Sequence, residues 1–264
     1  FFQAEDGIRD FCLSRGLGDV YKRQLSLRLF CPEPFRAQAE DYAPWCTVTI
    51  SPAPPEPTCP ALWLDAGGLG LLMPGFAKPY RPAQAGPVHR QRSHASDPMV
   101  RACAAGRGNI SVLDACAGFG SDGLVMSDLG CRVTYLERDP LIWLLLRDRV
   151  KDLPGAWAHC ADAQDFMAEG ERWDVVYLDP MFPLRNKTAL PGLGMQHLRT
   201  LSEATSEEVD MQQALADLLQ SARRAAIRRV VCKRRAKDPT PDSLLTPDFQ
   251  VKGKMVRFDV YLTS

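Results

Sequence analysis

From residue 111 onward, short runs of apolar residues alternate with segments whose apolar positions recur at helical spacing. This pattern predicts strands over 111–115, 132–137, 157–159, 175–178 and 229–233, separated by helices over 121–129, 140–150, 163–169 and 207–225. Ahead of the first strand, Asp97 reads as an N-cap and Pro98 as the opening residue of a helix over 97–105. Strands that are apolar throughout are those covered on both faces, so the alternation implies a mostly parallel, doubly wound α/β sheet. Two later runs, 249–251 and 257–262, read as a hairpin that adds antiparallel strands at the sheet edge. Trp143 with Leu144, Leu145 and Leu146 marks a buried helix face. A long polar, Gly-containing stretch between 183 and 207 reads as a loop.

The chain divides into three segments: 1–24, 25–87 and 88–264. Residues 1–24 sustain neither a helical nor a strand period and resemble a translated sequencing adaptor, so they are expected to be non-native and unstructured. Residues 25–87 are proline-rich, with apolar runs such as CTVTI (46–50) and ALWLDAGGLGLL (61–72) punctuated by Pro and Gly. They predict a small strand-rich N-terminal lobe.

At 264 residues the chain is long enough for a full α/β core and a smaller appendage. None of its apolar runs is long enough to span a bilayer. Nine cysteines occur without a C-x-x-C pair or a Cys/His cluster at zinc spacing, which disfavours a metal centre or disulfide framework and suits a reducing cytoplasm. Cys116 and Cys131 read as packing, and His159 as a core histidine at a strand end. With 32 basic and 32 acidic side chains the net charge is zero, so any nucleic-acid surface must be a local patch.

Chemistry concentrates in two motifs. VLDACAGFGSDG (112–123) is a strand running into a loop in which Gly118, Gly120 and Gly123 spell G-x-G-x-x-G, and Glu137 follows at the end of the next strand, where an acid meets ribose hydroxyls. A dinucleotide would set its pyrophosphate on the helix N-terminus, but Asp114 and Asp122 flank this loop and would repel it. S-adenosylmethionine carries no phosphate. Its sulfonium and ammonium groups suit carboxylates, so Asp114 and Asp122 are expected to face its methionine part, Gly118 and Gly120 to allow close backbone approach, and Glu137 to accept from the ribose. Asp162 stands where an acid could accept from the adenine amino group, and equally where it would cap the next helix.

The second motif, VVYLDPMFP (175–183), ends a buried strand in an acid, two prolines and an aromatic ring. An exocyclic amine is a poor nucleophile because its lone pair is delocalised into the ring. Accepting both N–H hydrogens favours tetrahedral nitrogen and aims the lone pair at the methyl carbon. The Asp179 carboxylate and the Pro180 carbonyl are the candidate acceptors, with Phe182 to stack on an extruded base. Arg185 and Lys187 directly after the motif, His89, Arg90 and Arg92 in an earlier loop, and Lys233 and Arg234 within a basic run over 223–237 are candidates for phosphate contact.

DACAGFGSDG, VTYLERDP, VVYLDPMFP and the late KGKMVRFDVY together resemble the RsmJ family, the guanine-N2 methyltransferases of small-subunit ribosomal RNA, over residues 89–264. The resemblance implies a Rossmann-like class I S-adenosylmethionine-dependent methyltransferase fold. It also implies cofactor positions at Ser121, Asp122, Glu137, Arg138, Ala161, Asp162 and Asp179, and an N2-methylguanosine product near the 3′ end of 16S RNA, made on the free RNA or the 30S particle in the cytoplasm. Two departures stand out. Ser121 occupies a position where the family usually has Arg, and RSHASDP (92–98) replaces a Gly-rich basic stretch. The rival expectations are a methyltransferase acting on another amine, such as adenine N6 or a protein amide, and a non-catalytic RNA-binding assembly protein that keeps the fold.

Overall fold

The structure is a computed structural model describing residues 27–82, 96–107, 109–180, 193–203, 211–238 and 244–263. The segment 1–24, and with it the expectation that it is non-native, lies outside the described residues. The chain divides into two compact units, Phe1–Arg81 and Pro82–Ser264.

In the first unit, β1 (Arg28–Cys31), β2 (Thr47–Ile50), β3 (Ala61–Asp65) and β4 (Gly68–Leu72) form a sheet in the order β2-β1-β3-β4. β1 runs parallel to β2 and β3, while β3 and β4 form an antiparallel hairpin. A short helix α1 (Arg36–Ala39) follows β1. The hairpin turns at Asp65, whose carboxylate accepts from the Gly67 N–H at 2.7 Å, the Trp63 indole N–H at 2.6 Å and Arg81 at 2.7 Å. Leu29, Leu62, Leu64 and Leu71 are fully buried. Each such side chain contributes roughly 1.5–3 kcal/mol of apolar burial.

The second unit is built on seven strands: β5 (Ser111–Asp114), β6 (Arg132–Glu137), β7 (Ala156–Cys160), β8 (Trp173–Leu178), β9 (Ala226–Arg235), β10 (Phe249–Lys252) and β11 (Val256–Leu262). Their order is β10-β11-β9-β8-β5-β6-β7, parallel from β9 to β7 and antiparallel at β9·β11 and β11·β10. Val175, Val176, Tyr177 and Leu178 of β8 are buried, as expected of a strand covered on both faces. The chain proceeds outward from β5 to β7, then returns to β8 on the other side of β5. The carboxyl ends of β5 and β8 therefore flank the point where the order reverses, which is where open α/β sheets bind ligands.

Local signals set the helix ends. In α2 (Pro98–Cys103) the Asp97 side chain accepts from the Met99 N–H at 2.8 Å, and Ala104 at φ 53° stops the helix two residues short of the expected end. α3 is Ser121–Asp128 and α4 is Pro140–Val150, the latter capped by Asp139 through the N–H groups of Leu141 and Ile142. α5 is Ala163–Met167, and α7 is Met211–Ala225 with Leu215, Leu219 and Ala222 buried along one face.

The stretch expected to be a loop contains an additional helix, α6 (Leu193–Glu203). Its buried face includes His197 and Leu201, four residues apart. A histidine in the middle of the stripe hides the helical period from an apolar count.

Candidate cofactor and acceptor site

Asp114 ends β5 and is 2 % exposed. Its Oδ1 has no hydrogen-bond partner among the described residues. Burial first, and then the charges of Asp122 and Asp179, push its carboxyl well above the usual range. The chain then turns through Gly118 and Gly120 into α3. Gly120 takes φ 76°, and a Cβ there would stand 2.5 Å from the Leu146 side chain, so glycine is required on both counts. A Cβ on Gly123 would meet Tyr135 at 2.2 Å and Asp114 Oδ2 at 2.8 Å. The third glycine thus lets α3 close onto β6 and onto the buried acid.

Glu137 fixes the loop to the end of β6. Its Oε2 accepts from the Gly118 N–H at 3.0 Å and its Oε1 from the Asp139 N–H at 2.8 Å. Burial pushes its carboxyl up to about 7, with those two N–H donors opposing the shift. Ser121 and Arg138 are exposed beside the loop and the β6 end, and Ala161 is buried, its N–H donating to the Glu137 carbonyl at 3.2 Å. Asp162 caps α5 by accepting from the Gln164 N–H at 2.8 Å. Leu198 of α6 lies over Gly118, where an added methyl would touch its Cδ1 at 3.5 Å.

Asp179 follows β8, and Pro180 adjoins it, half-buried. The β8·β9 register pairs Leu178 with Cys232, which sets Asp179 beside Lys233. The Lys233 ammonium lies 2.8 Å from Asp179 Oδ2 and 2.7 Å from Asp122 Oδ2, and the Tyr177 hydroxyl donates to the same Asp122 oxygen at 2.6 Å. Burial raises Asp179, and Lys233 offsets part of that. For Lys233 itself burial works against the charge, but Asp122 and Asp179 outweigh it and hold the ammonium protonated. The two sequence motifs therefore converge on a single cation.

This geometry corrects the expectation for Lys233 and Arg234 as phosphate contacts. The side chain of Lys233 is 23 % exposed and engaged by two carboxylates, and Arg234 is 5 % exposed. Nor does the basic run form one face. Arg228 pairs with Asp174 at the amino end of β8, and Arg229 donates to the Ala102 carbonyl, whereas Lys233 stands at the opposite end of the sheet. Phe182, Arg185, Lys187, His89, Arg90 and Arg92 lie outside the described residues. Sequence reasoning missed Tyr177 as a site residue. The signal for it was its spacing: two positions before Asp179, it points to the same side of the sheet.

Among the described residues no group of His, Cys, Asp and Glu is arranged to hold a metal ion, and no helix is long and apolar enough to cross a membrane. The site does fit S-adenosylmethionine. Asp122 and Asp179 hold one ammonium between them, with Asp114 close enough to feel its charge, and the buried Asp114 Oδ1 has no donor among the described residues, so the cluster has room for a further cationic or donor group. The glycine backbone and Glu137 offer the close approach and the acceptor that a ribose needs.

Known proteins point the same way. The family profile described as "Putative SAM-dependent methyltransferase" matches residues 83–263. A Thioalkalivibrio sulfidiphilus protein named ribosomal RNA small subunit methyltransferase J is 42 % identical over 167 residues, 58 % of this chain and 62 % of that one. The match thus spans less than two thirds of that relative. A protein of the same name from Magnetococcus marinus is 39 % identical over 182 residues, 63 % of this chain and 68 % of that one. A solved SAM-dependent methyltransferase from Neisseria gonorrhoeae shares the fold with a TM-score of 0.68 at 24 % identity, covering 89 % of this chain and 95 % of that one. With the cofactor loop, the acid after β8 and these relatives in agreement, the chain belongs to the SAM-dependent methyltransferases, in the family named ribosomal RNA small subunit methyltransferase J.

Proposed function

We propose that this protein methylates the exocyclic N2 of a guanosine in small-subunit ribosomal RNA, on the free RNA or the 30S particle, in the cytoplasm. The observation that carries this reading is the junction of the two motifs: Asp122 of the glycine loop and Asp179 of the acceptor motif share the Lys233 ammonium. The shared ammonium supports a reading in which an acceptor for an amine stands beside a loop for a cationic cofactor.

Bound S-adenosylmethionine supplies an electrophilic methyl group, whose C–S electron pair stays on sulfur as the nitrogen lone pair forms the N–C bond. The chain's residues do the rest by position. Asp114 and Asp122 stabilise the positive end of the cofactor, Glu137 accepts from its ribose, and Gly118, Gly120 and Ser121 line its approach. Asp162 keeps its α5 cap and offers its remaining acceptor capacity to the adenine amino group, with Ala161 and Arg138 alongside. Asp179 and the Pro180 carbonyl accept the two N–H hydrogens of the target amine, which holds the lone pair on the methyl axis. Phe182 stacks on the base, and Arg90, Arg92, Arg185 and Lys187 contact phosphates. After transfer the methylated nitrogen is cationic and strongly acidic, so its proton leaves to solvent without a strong base.

The test is incubation of the protein with S-adenosylmethionine and small-subunit particles lacking native modification, followed by nucleoside mass spectrometry. New N2-methylguanosine is expected. N6-methyladenosine in its place would move the acceptor to adenine. Cofactor binding with no methylated nucleoside would favour the RNA-binding assembly role.

A further inference from the structure

Lys233 is an unusual residue for its place. It sits in β9 between the buried Cys232 and Arg234, and its ammonium reaches across the carboxyl end of the sheet to acids from two other elements. The linked groups run in order from the Tyr177 hydroxyl to Asp122, to Lys233, to Asp179, with successive separations of 2.6, 2.7 and 2.8 Å. One end of this chain belongs to the glycine loop and the other to the acceptor motif. Without the cation between them, the charge of Asp122 and the burial of Asp179 both favour the protonated form of Asp179. A protonated Asp179 would present an O–H donor to an amine that itself donates, the wrong polarity for the task.

We propose that Lys233 is a positioning residue for methyl transfer: its ammonium keeps the Asp179 carboxylate a hydrogen-bond acceptor for the incoming amine and ties it to Asp122 of the cofactor loop. The inference rests on the methyltransferase reading above. It replaces a phosphate contact by an internal counter-ion.

The groups facing this pair come from every element packed around it. They are Asp114 at the end of β5 with Cys116 after it, Asp122 from α3, Tyr177 from β8 and Cys232 from β9, with Cys103 of α2 behind Asp122. Burial and these acids push Asp114, Tyr177 and the three thiols upward. For Asp179, Lys233 is the cation that works against that trend, through both its charge and its hydrogen bond. Replacing it by a neutral side chain of similar length removes that influence and leaves the acids in place.

The experiment compares the parent, Lys233→Met, Lys233→Gln and Lys233→Arg in two ways. The first is the carboxyl-carbon NMR titration of Asp179, assigned with Asp179→Asn. The second is kcat against pH, with the Kd for S-adenosylmethionine measured alongside. In Lys233→Met the Asp179 titration and the acidic limb of kcat are expected to move up together by about one unit or more. At neutral pH kcat is expected to fall about 100-fold, with no weakening of cofactor binding. Lys233→Arg restores most of the rate, and Lys233→Gln gives the same reading as Met should the Met variant fail to fold. An unmoved Asp179 titration overturns the proposal. So does a higher KM for RNA with kcat and its pH limb unchanged, which is what a phosphate contact would give. If Asp179 shifts but the parent methylates no RNA, the methyltransferase reading fails, and the positioning role falls with it.

Discussion

Glu137 illustrates what a single carboxylate does in this site. Burial lifts it to about 7 while its oxygens hold the N–H groups of Gly118 and Asp139. An acid whose folded value exceeds its unfolded one, about 4.3 for Glu, favours the folded state at low pH. That contribution is lost as pH rises through the window up to about 7, because the ionised form is then held in a poorly solvated place. Ligand binding has the opposite sign. On the proposed reading ribose hydroxyls would donate to the ionised form, so binding would be linked to proton release, and affinity for S-adenosylmethionine is expected to weaken as pH falls below 7, approaching about tenfold per unit. Calorimetric Kd values between about pH 5.5 and 7.5 check this, and Glu137→Gln is expected to flatten the profile. An equally steep profile in that variant would assign the proton elsewhere. The position of Glu137 at the end of β6 was legible from its spacing after the glycines, since a strand-end acid is a sequence feature. The part played by Gly123 was not, because it depends on Tyr135 and Asp114 meeting α3 across the sheet.

At the scale of elements, β11 secures the strand that carries Lys233. Arg257 donates from Nε to Asp259 Oδ1 at 2.9 Å and from Nη2 to Oδ2 at 3.2 Å, and its other nitrogen reaches the carbonyls of Arg235 and Asp238 just past the lysine. Asp259 is fully buried and also accepts from Gln250 of β10. Breaking such a pair from one side leaves a charge in a poorly solvated place, at a cost of about 3–5 kcal/mol. Asp259→Ala is therefore expected to lower Tm by roughly 10 °C, while Arg257→Met with Asp259→Leu lowers it less, since neither charge then remains. Thermal unfolding of the single and double variants decides this; equal losses would mean that the pair contributes shape rather than charge. The hairpin itself was legible as two apolar runs, and so were the parallel strands, as short apolar runs set between helical segments; β8, buried from Val175 to Leu178, shows burial on both faces, whereas β7 reads AWAHC and is only part-buried. α6 was not legible. Its buried face is carried partly by His197, and its neighbours are polar and Gly-rich, so the segment reads as a loop until the packing of Leu198 over Gly118 is seen.

For the molecule as a whole, the charge balance of 32 basic and 32 acidic side chains means that the proposed RNA binding would have to draw on a few local cations. A run such as 223–237 looks in sequence like one basic patch, yet the strand register distributes it to both ends of the sheet and commits Lys233 to two acids. One-dimensional clustering does not specify a face, so the strand-end positions of the acids could be read from sequence while the pairing of Lys233 with two of them could not. The consequence is quantitative. With Arg90, Arg92, Arg185 and Lys187 as the phosphate contacts, the slope of log K against log salt is expected to be about −3, from about 0.7 released counterions per contact on single-stranded RNA. Including Lys233 and Arg234 would steepen it to about −4. Binding of a small-subunit RNA fragment across a salt series reads the slope directly. Arg185→Ala and Lys187→Ala are each expected to flatten it by about 0.7, and Lys233→Met to leave it unchanged. Flattening in the Lys233 variant would return that ammonium to the phosphate backbone and remove it from the link between the cofactor loop and the acceptor motif.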